Sequence, residues 1–183
     1  MTQQIQTELV ATGSIGATQL ADAAVTPVKL AQPLTQGSAQ ATTSGTAKDF
    51  TGIPSWVKRI TVMFNGVSTS GTSNIQMQIG TSSGFETTGY SSPGWDSTIA
   101  TSTTGFLVSG SVAASNVRSG AMVLTNLGSN TWVNAGVLCR TDVGTGAHAS
   151  GTKTLAGTLD RIRITTVNGT DTFDAGSINI LYE

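Results

Sequence analysis

"NIQMQIG", residues 74–80, decides the fold class, because its apolar and polar residues alternate without a break. This period of two places Ile75, Met77 and Ile79 on one face of an extended chain and the two glutamines on the other. A helix instead brings together residues three and four apart, and this run offers no such pattern. The stretch therefore predicts a β-strand with one face toward a core and one toward solvent.

Strand-like runs recur along the chain, separated by turn signals such as Asn65-Gly66 and Asn168-Gly169. They are "KRITVMF" (58–64), "GFLVSG" (105–110), "GAMVLTNL" (120–127), "TWVNAGVLCR" (131–140), "DRIRITTV" (160–167) and "GSINILYE" (176–183). The run at 131–140 is apolar on both faces, so we expect a central strand or a subunit interface there. Seven or eight strands without a helical pattern predict an all-β, antiparallel β-sandwich. A jelly roll is favoured over a galactose-binding-like or immunoglobulin-like sandwich.

The composition excludes several classes of partner. Charged residues make up 10% of the chain, and the formal net charge is −1. No basic cluster exceeds Lys58-Arg59, so we expect no nucleic-acid partner. No run is long and apolar enough to insert into a membrane. The opening "MTQQIQTELV" has neither a basic start nor an apolar core, which predicts synthesis in the cytoplasm without a secretory signal.

Residues 1–40 differ from the rest of the chain, residues 41–183, which we assign to the β domain. "IGATQLADAAVTPVKLA", residues 15–31, matches itself when shifted by ten positions. Each copy reads as an extended stretch followed by a single helical turn, with Thr26 and Pro27 suited to begin the second turn. A single turn is unstable alone. We therefore predict that this segment docks on another surface or on copies of itself, through Ile15, Leu20, Val25, Val28, Leu30 and Leu34.

Residues typical of catalysis are scarce. The one histidine, His148, lies in "VGTGAHASGTKT" (143–154), which we interpret as a solvated loop, and we interpret the lone Cys139 as a small buried hydrophobe. Asp171 and Asp174 could hold a calcium ion, but turn formation by their side chains is the favoured interpretation. We therefore predict no enzyme, no cofactor, no metal and no catalytic residue.

"FETTGYSSPGWDST", residues 85–98, combines aromatic and acidic residues without strand alternation. Exposed rings beside carboxylates commonly bind sugars, since rings pack on the sugar and carboxylates accept its hydroxyls. Glu86, Tyr90, Trp95 and Asp96 are therefore candidate glycan contacts. The alternative is that the rings only fasten a long loop to the sandwich.

The repeat at 15–31 resembles the "IG-x-x-QLAD-x-AVT-x-x-KLA" repeats near the N-termini of bacteriophage tail fibres and related virion proteins. The segment from "GIPSWVKRITVMFNGVSTSG" (52–71) through "LAGTLDRIRITTVNGTDTFDAGSINILYE" (155–183) resembles a β domain common at the C-terminal end of phage and prophage structural proteins. The chain departs from the repeat at Ala23, where glycine is usual, and at Pro27-Val28, where Thr-Ala is usual.

This resemblance implies a homotrimer on the virion surface, assembled in the host cytoplasm and attached to tail or capsid proteins through the N-terminal segment. A short tail fibre is preferred, with its β domain outward and a host surface glycan as a candidate partner. The alternatives are a capsid head fibre or decoration protein without a receptor role, and a carbohydrate-binding module or glycan-degrading enzyme. Scarce histidine, cysteine and paired acids argue against the enzyme, and the repeat argues against a free module.

Overall fold

The computed structural model describes residues 32–114 and 116–183. These residues form strands and turns without a helix, and their strand pairs are antiparallel. Residues 34–183 make one compact unit. The all-β, antiparallel prediction is thus confirmed for the described part. The helical turns predicted for the repeat lie outside it.

The described residues form fourteen strands, more than the seven or eight predicted, because several are only two to five residues long. They are β1 (Thr35–Gln36), β2 (Gln40–Ala41), β3 (Ala47–Thr51), β4 (Arg59–Thr69), β5 (Ile75–Thr81), β6 (Gly84–Phe85), β7 (Ser92–Trp95), β8 (Ile99–Ser102), β9 (Phe106–Leu107), β10 (Arg118–Gly128), β11 (Thr131–Arg140), β12 (Thr145–Thr154), β13 (Arg161–Thr166) and β14 (Phe173–Tyr182).

The strands form a large sheet and a small one. The large sheet has the order β1-β14-β4-β10-β11-β12-β7-β8, and β2 also pairs with β14. The small sheet has the order β3-β13-β5-β6, and β9 also pairs with β5. β11 lies between β10 and β12 in the interior of the large sheet, which confirms the predicted central strand.

One buried core cluster contains side chains from both sheets. Ile60, Val62 and Phe64 enter it from the large sheet, and Ile162 and Ile164 enter it from the small one, as their alternation predicts. This shared core is what two packed sheets require. The jelly-roll connectivity stays a prediction.

The alternation in β5 predicts its isoleucines correctly but its glutamines wrongly. Gln76 and Gln78 are buried, not solvent-facing. The segment before β9 lies against them: the Gln78 amide donates to the Thr104 carbonyl at 2.9 Å, and the Thr104 hydroxyl donates to the Gln76 carbonyl oxygen at 3.0 Å. Both faces of β5 are therefore covered, and the polar face is satisfied by hydrogen bonds inside the protein.

The stretch interpreted as a solvated loop around His148 is the ten-residue strand β12, which pairs with β11 along its whole length. Its inward positions include Ala147 and Ala149, whose small side chains give no hydrophobic alternation to read. At Gly151 the packing requires a residue without a side chain, because an added Cβ would lie 2.5 Å from the Ser91 carbonyl oxygen.

Cys139 is exposed, contrary to the interpretation that it is a buried hydrophobe. It lies on β11, where Trp132, Asn134 and Leu138 point inward and the alternate residues point outward. Cys139 is one of these outward-pointing residues. The apolar character of both faces of this strand therefore does not mean that both faces are buried in one chain.

Candidate functional site

The four candidate glycan contacts do not form one exposed surface. The stretch 85–98 contributes to β6 and β7 and to the turns beside them, instead of forming one long loop. Tyr90 and Asp96 are buried, Glu86 is partly buried, and Trp95 is half exposed. The structure thus separates an outward ring from three residues that make internal contacts.

Tyr90 fastens the chain to β5. Its side chain is 3% exposed, and its ring packs edge-on against Phe106 with 5.0 Å between the ring centroids. Its hydroxyl accepts a hydrogen bond from the Ile79 amide at 2.8 Å and lies 2.8 Å from the Glu86 carbonyl oxygen, to which it donates. Burial raises the pKa of this hydroxyl. This is the packing role that the sequence left open as an alternative, and the ring is closed to a glycan.

Asp96 forms a buried ion pair with Arg118, a residue that sequence reasoning did not single out. The guanidinium Nη2 lies 3.2 Å from Asp96 Oδ2, and the Arg118 side chain is 1% exposed. Burial by itself raises the pKa of the Asp96 carboxyl. Hydrogen bonds from Ser111 and from the backbone of the following turn, with the charge of Arg118, outweigh burial and hold that pKa below its usual value.

The Arg118 guanidinium is incompletely paired. Its Nη2 also donates to the Ser111 carbonyl, whereas Nε and Nη1 are buried without a hydrogen-bond partner. Burial lowers the pKa of this guanidinium, although the charge of Asp96 opposes the effect. The pair joins the start of β10 to the turn between β7 and β8, so its role in these contacts is to hold the chain together.

Glu86 is held in a similar way by Lys153, whose Nζ lies 2.6 Å from Glu86 Oε2. The Ala156 amide donates to Glu86 Oε1 at 2.8 Å, and Lys153 Nζ lies 5.4 Å from the centre of the Tyr90 ring. Burial tends to raise the pKa of Glu86, but the hydrogen bond from Lys153 lowers it below its usual value. The carboxylate is therefore already occupied by partners within the chain.

Trp95 is the accessible member of the set, and it contacts the one histidine. The Trp95 ring is 50% exposed and stacks on His148 with 5.4 Å between centroids and 20° between planes. Ile99 is its partner across the β7–β8 pair. With Pro93, Ala149 and Ser150 these residues line a shallow depression of about 210 Å³. The sequence could not predict the Trp95–His148 contact, because it depends on β12 being a strand beside β7.

Asp171 and Asp174 bind different partners. The Asp171 carboxylate accepts hydrogen bonds from the Ser73 amide at 2.9 Å and the Asn168 side chain at 2.7 Å. Asp174 accepts one from the Ser68 hydroxyl. The two serine contacts join distant parts of the chain, and Asp174 lies in β14, so they are not the bonds to neighbouring turn backbone that the sequence predicts. Across residues 32–114 and 116–183, no group of three or more His, Cys, Asp or Glu side chains is arranged to hold a metal ion.

Most of the predicted docking residues lie outside the described residues: Ile15, Leu20, Val25, Val28 and Leu30. Leu34 is described, and it is an exposed residue directly before β1. The polar stretch after it contains β1 and β2, which both pair with β14. These two short strands are therefore part of the large sheet.

No protein family, curated protein sequence or solved structure matches this chain. Among the described residues there is also no helix of the length and apolarity needed to cross a membrane.

Proposed function

We propose that this chain is a structural protein of a bacteriophage particle, a short homotrimeric fibre attached through residues 1–40, preferably to the tail. The β domain faces outward and is a two-layer sandwich of jelly-roll type. The single observation that carries this proposal is the repeat at 15–31, which resembles the N-terminal repeats of phage fibre proteins.

The physics of the repeat supports attachment. Leu20 and Leu30 recur at the same place in the two copies, each on a predicted single turn. Nucleating a single helical turn costs more conformational free energy than its one hydrogen bond returns. The turn is therefore stable only where another surface buries its leucine. Neighbouring copies of the chain or a groove on the particle supply that surface.

The contacts inside the β domain support a scaffold role. The acidic and aromatic residues at 86, 90 and 96 are engaged by Lys153, β5 and Arg118. Within the stretch 85–98, the glycan contact therefore stays a prediction for Trp95. The engagement of the other three residues favours a second candidate, a capsid head fibre or decoration protein that has no receptor role.

Incorporation into particles tests the attachment. The Leu20→Asp/Leu30→Asp double variant should leave the chain soluble and β-structured by circular dichroism but absent from purified particles. Burial of an unpaired carboxylate at the docking surface is costly, about several kcal/mol. Val167→Asp is the matched control, because Val167 is exposed directly after β13 of the small sheet and should tolerate the same change. Normal loading of the double variant would contradict the proposal.

Antibody against the β domain then separates the two candidates. Negative-stain images of labelled particles should show label on the tail for the tail fibre and on the head for the head fibre or decoration protein. Particles that carry no label would contradict both.

A further inference from the structure

The outward face of the large sheet carries a continuous row of uncharged side chains, most of them apolar. Strand register places one outward residue of each strand from β8 to β4 side by side. In order these residues are Ile99, Trp95, His148, Val137, Ala121 and Met63. The row continues to Asn179 on β14. We call this row and the neighbouring outward positions of the same strands the outer face.

The outer face is unusual in its charge. A second row, Ser150, Ala135, Val123, Thr61 and Leu181, runs beside the first. Neither row contains an Asp, Glu, Lys or Arg residue. The cationic side chains of these strands lie elsewhere. Arg118 and Lys153 point inward, and Arg59 pairs with Glu183 at one end of the sheet. Arg140, the last residue of β11, is the register partner of the inward-pointing Arg118 and pairs with Asp142.

The apolar members of the face are open to solvent in the single chain. Ile99 is 74% exposed and Val137 is 58% exposed, and the Trp95 ring lies between their strands. The solvated face of an antiparallel sheet is normally polar. Contiguous exposed apolar residues on a soluble protein mark interaction sites.

The lack of charge indicates which partner covers this face. Close to a rotation axis, a residue meets the same residue of the other copies, so a charged residue there would face its own charge. The outer face carries no such residue in its two central rows. It also offers no charge that would steer or orient an acidic or basic partner. A second copy of this chain fits both facts.

The size of the face is sufficient for such a contact. At about 4.8 Å per strand and about 3.3 Å per residue, about six residues from each of the five long strands make up most of a face of roughly 600 Å². The four residues of β7 and the four residues of β8 supply the rest. Stable specific interfaces begin at about 600 Å² on each partner. The face therefore reaches the lower limit of a specific contact without help from other surfaces.

We infer that the outer face of the large sheet packs against the outer faces of the other copies around the axis of the homotrimer. This inference rests on the self-association in the proposed function and assigns a surface to it. In this arrangement Trp95 contacts another copy of the chain and not a glycan.

The test is the mass of the full chain by sedimentation equilibrium. The wild-type mass should be a multiple of the 18.6 kDa chain mass. Val137→Lys places a charge at the centre of the face and should reduce the mass to that of one chain. Val167→Lys is the matched control, because Val167 is exposed after β13, away from the large sheet, and should keep the wild-type mass. Ile99→Lys, on the edge strand β8, should also dissociate the assembly if Val137→Lys fails to fold.

The outcomes separate this inference from the proposed function. A wild-type chain that is monomeric, or a Val137→Lys or Ile99→Lys variant that folds and keeps the wild-type mass, would overturn the outer-face contact. The particle-loading assay with the Leu20→Asp/Leu30→Asp variant is scored independently. The Trp95→Ala variant could lose adsorption to host cells while keeping the wild-type oligomer mass. That result would overturn the inference and favour the prediction that Trp95 contacts a host glycan.

Discussion

Arg118 is among the largest fully buried side chains of the described residues, and its charge is balanced by Asp96. Removing two charges from water is costly, so a buried pair of this kind contributes little net stability while both partners are present. Removing one partner is different, because the remaining charge stays buried without compensation. With two of its nitrogens already unpartnered, Arg118 depends strongly on this carboxylate.

Asp96→Ala should therefore lower the free energy of unfolding by about 3–5 kcal/mol. The Asp96→Ala/Arg118→Met double variant should recover most of that loss, since it leaves no buried charge. Urea denaturation of the wild type, the two single variants and the double variant gives the coupling energy directly. Additive losses in the double variant would mean that the pair is not the unit that stabilises this region.

At the scale of the element, small residues in β12 allow this strand to pack closely against the backbone of Ser91 and the ring of Phe106. A Cβ added at Gly151 would lie 2.5 Å from the Ser91 carbonyl oxygen and 2.9 Å from Phe106 Cδ1, atoms that belong to the backbone and to the core. At Gly146 in the same strand, an added Cβ would meet nothing within 4 Å. The two glycines thus serve different purposes, although the sequence presents them alike.

Gly151→Ala should be destabilising by about 1–3 kcal/mol, because neither the backbone carbonyl nor the buried ring can move aside freely. Gly146→Ala should change the free energy of unfolding by less than about 0.5 kcal/mol. Gly151 also has a positive φ of 158°, which an L residue adopts with strain, whereas Gly146 has no positive φ. Urea denaturation of both variants therefore compares a crowded, positive-φ position with an open one in the same strand. Equal effects would show that β12 is not held tightly against Ser91 and Phe106.

For the whole molecule, the boundary of the β domain is set by strand pairing. The compact unit begins at Leu34, and β1 and β2 pair with β14. The Thr42 hydroxyl, directly after β2, donates to the Ala175 carbonyl at 2.7 Å and is buried. The polar residues 35–42 therefore cover the β14 edge of the large sheet.

Deletion of residues 1–33 should leave a β circular-dichroism spectrum and a cooperative urea transition close to that of the full chain at equal protein concentration. Deletion of residues 1–41 removes β1 and β2 as well, which leaves the β14 edge unpaired. The longer deletion should therefore unfold at lower urea than the shorter one. The same midpoint for both deletions would mean that β1 and β2 contribute nothing to the stability of the sheet.

The sequence by itself determined the strands in which large apolar residues alternate with polar ones. β4, β13 and β14 lie where the alternation predicts them, and Ile162 and Ile178 face the core as expected. This works because a period of two is a local property of an extended chain. β12 was missed for the same reason, since alanine and glycine at its inward positions leave no contrast between its faces.

Only the tertiary structure decided which polar and aromatic residues are accessible. Tyr90, Trp95 and Asp96 share one stretch of sequence, yet Tyr90 is closed by β5, Asp96 by Arg118, and Trp95 remains open beside His148. The burial of a residue depends on which distant segments of the chain pack against it. A local sequence pattern does not show which segments those are. The outer face has the same origin, because its charge-free rows exist only once seven strands stand in register.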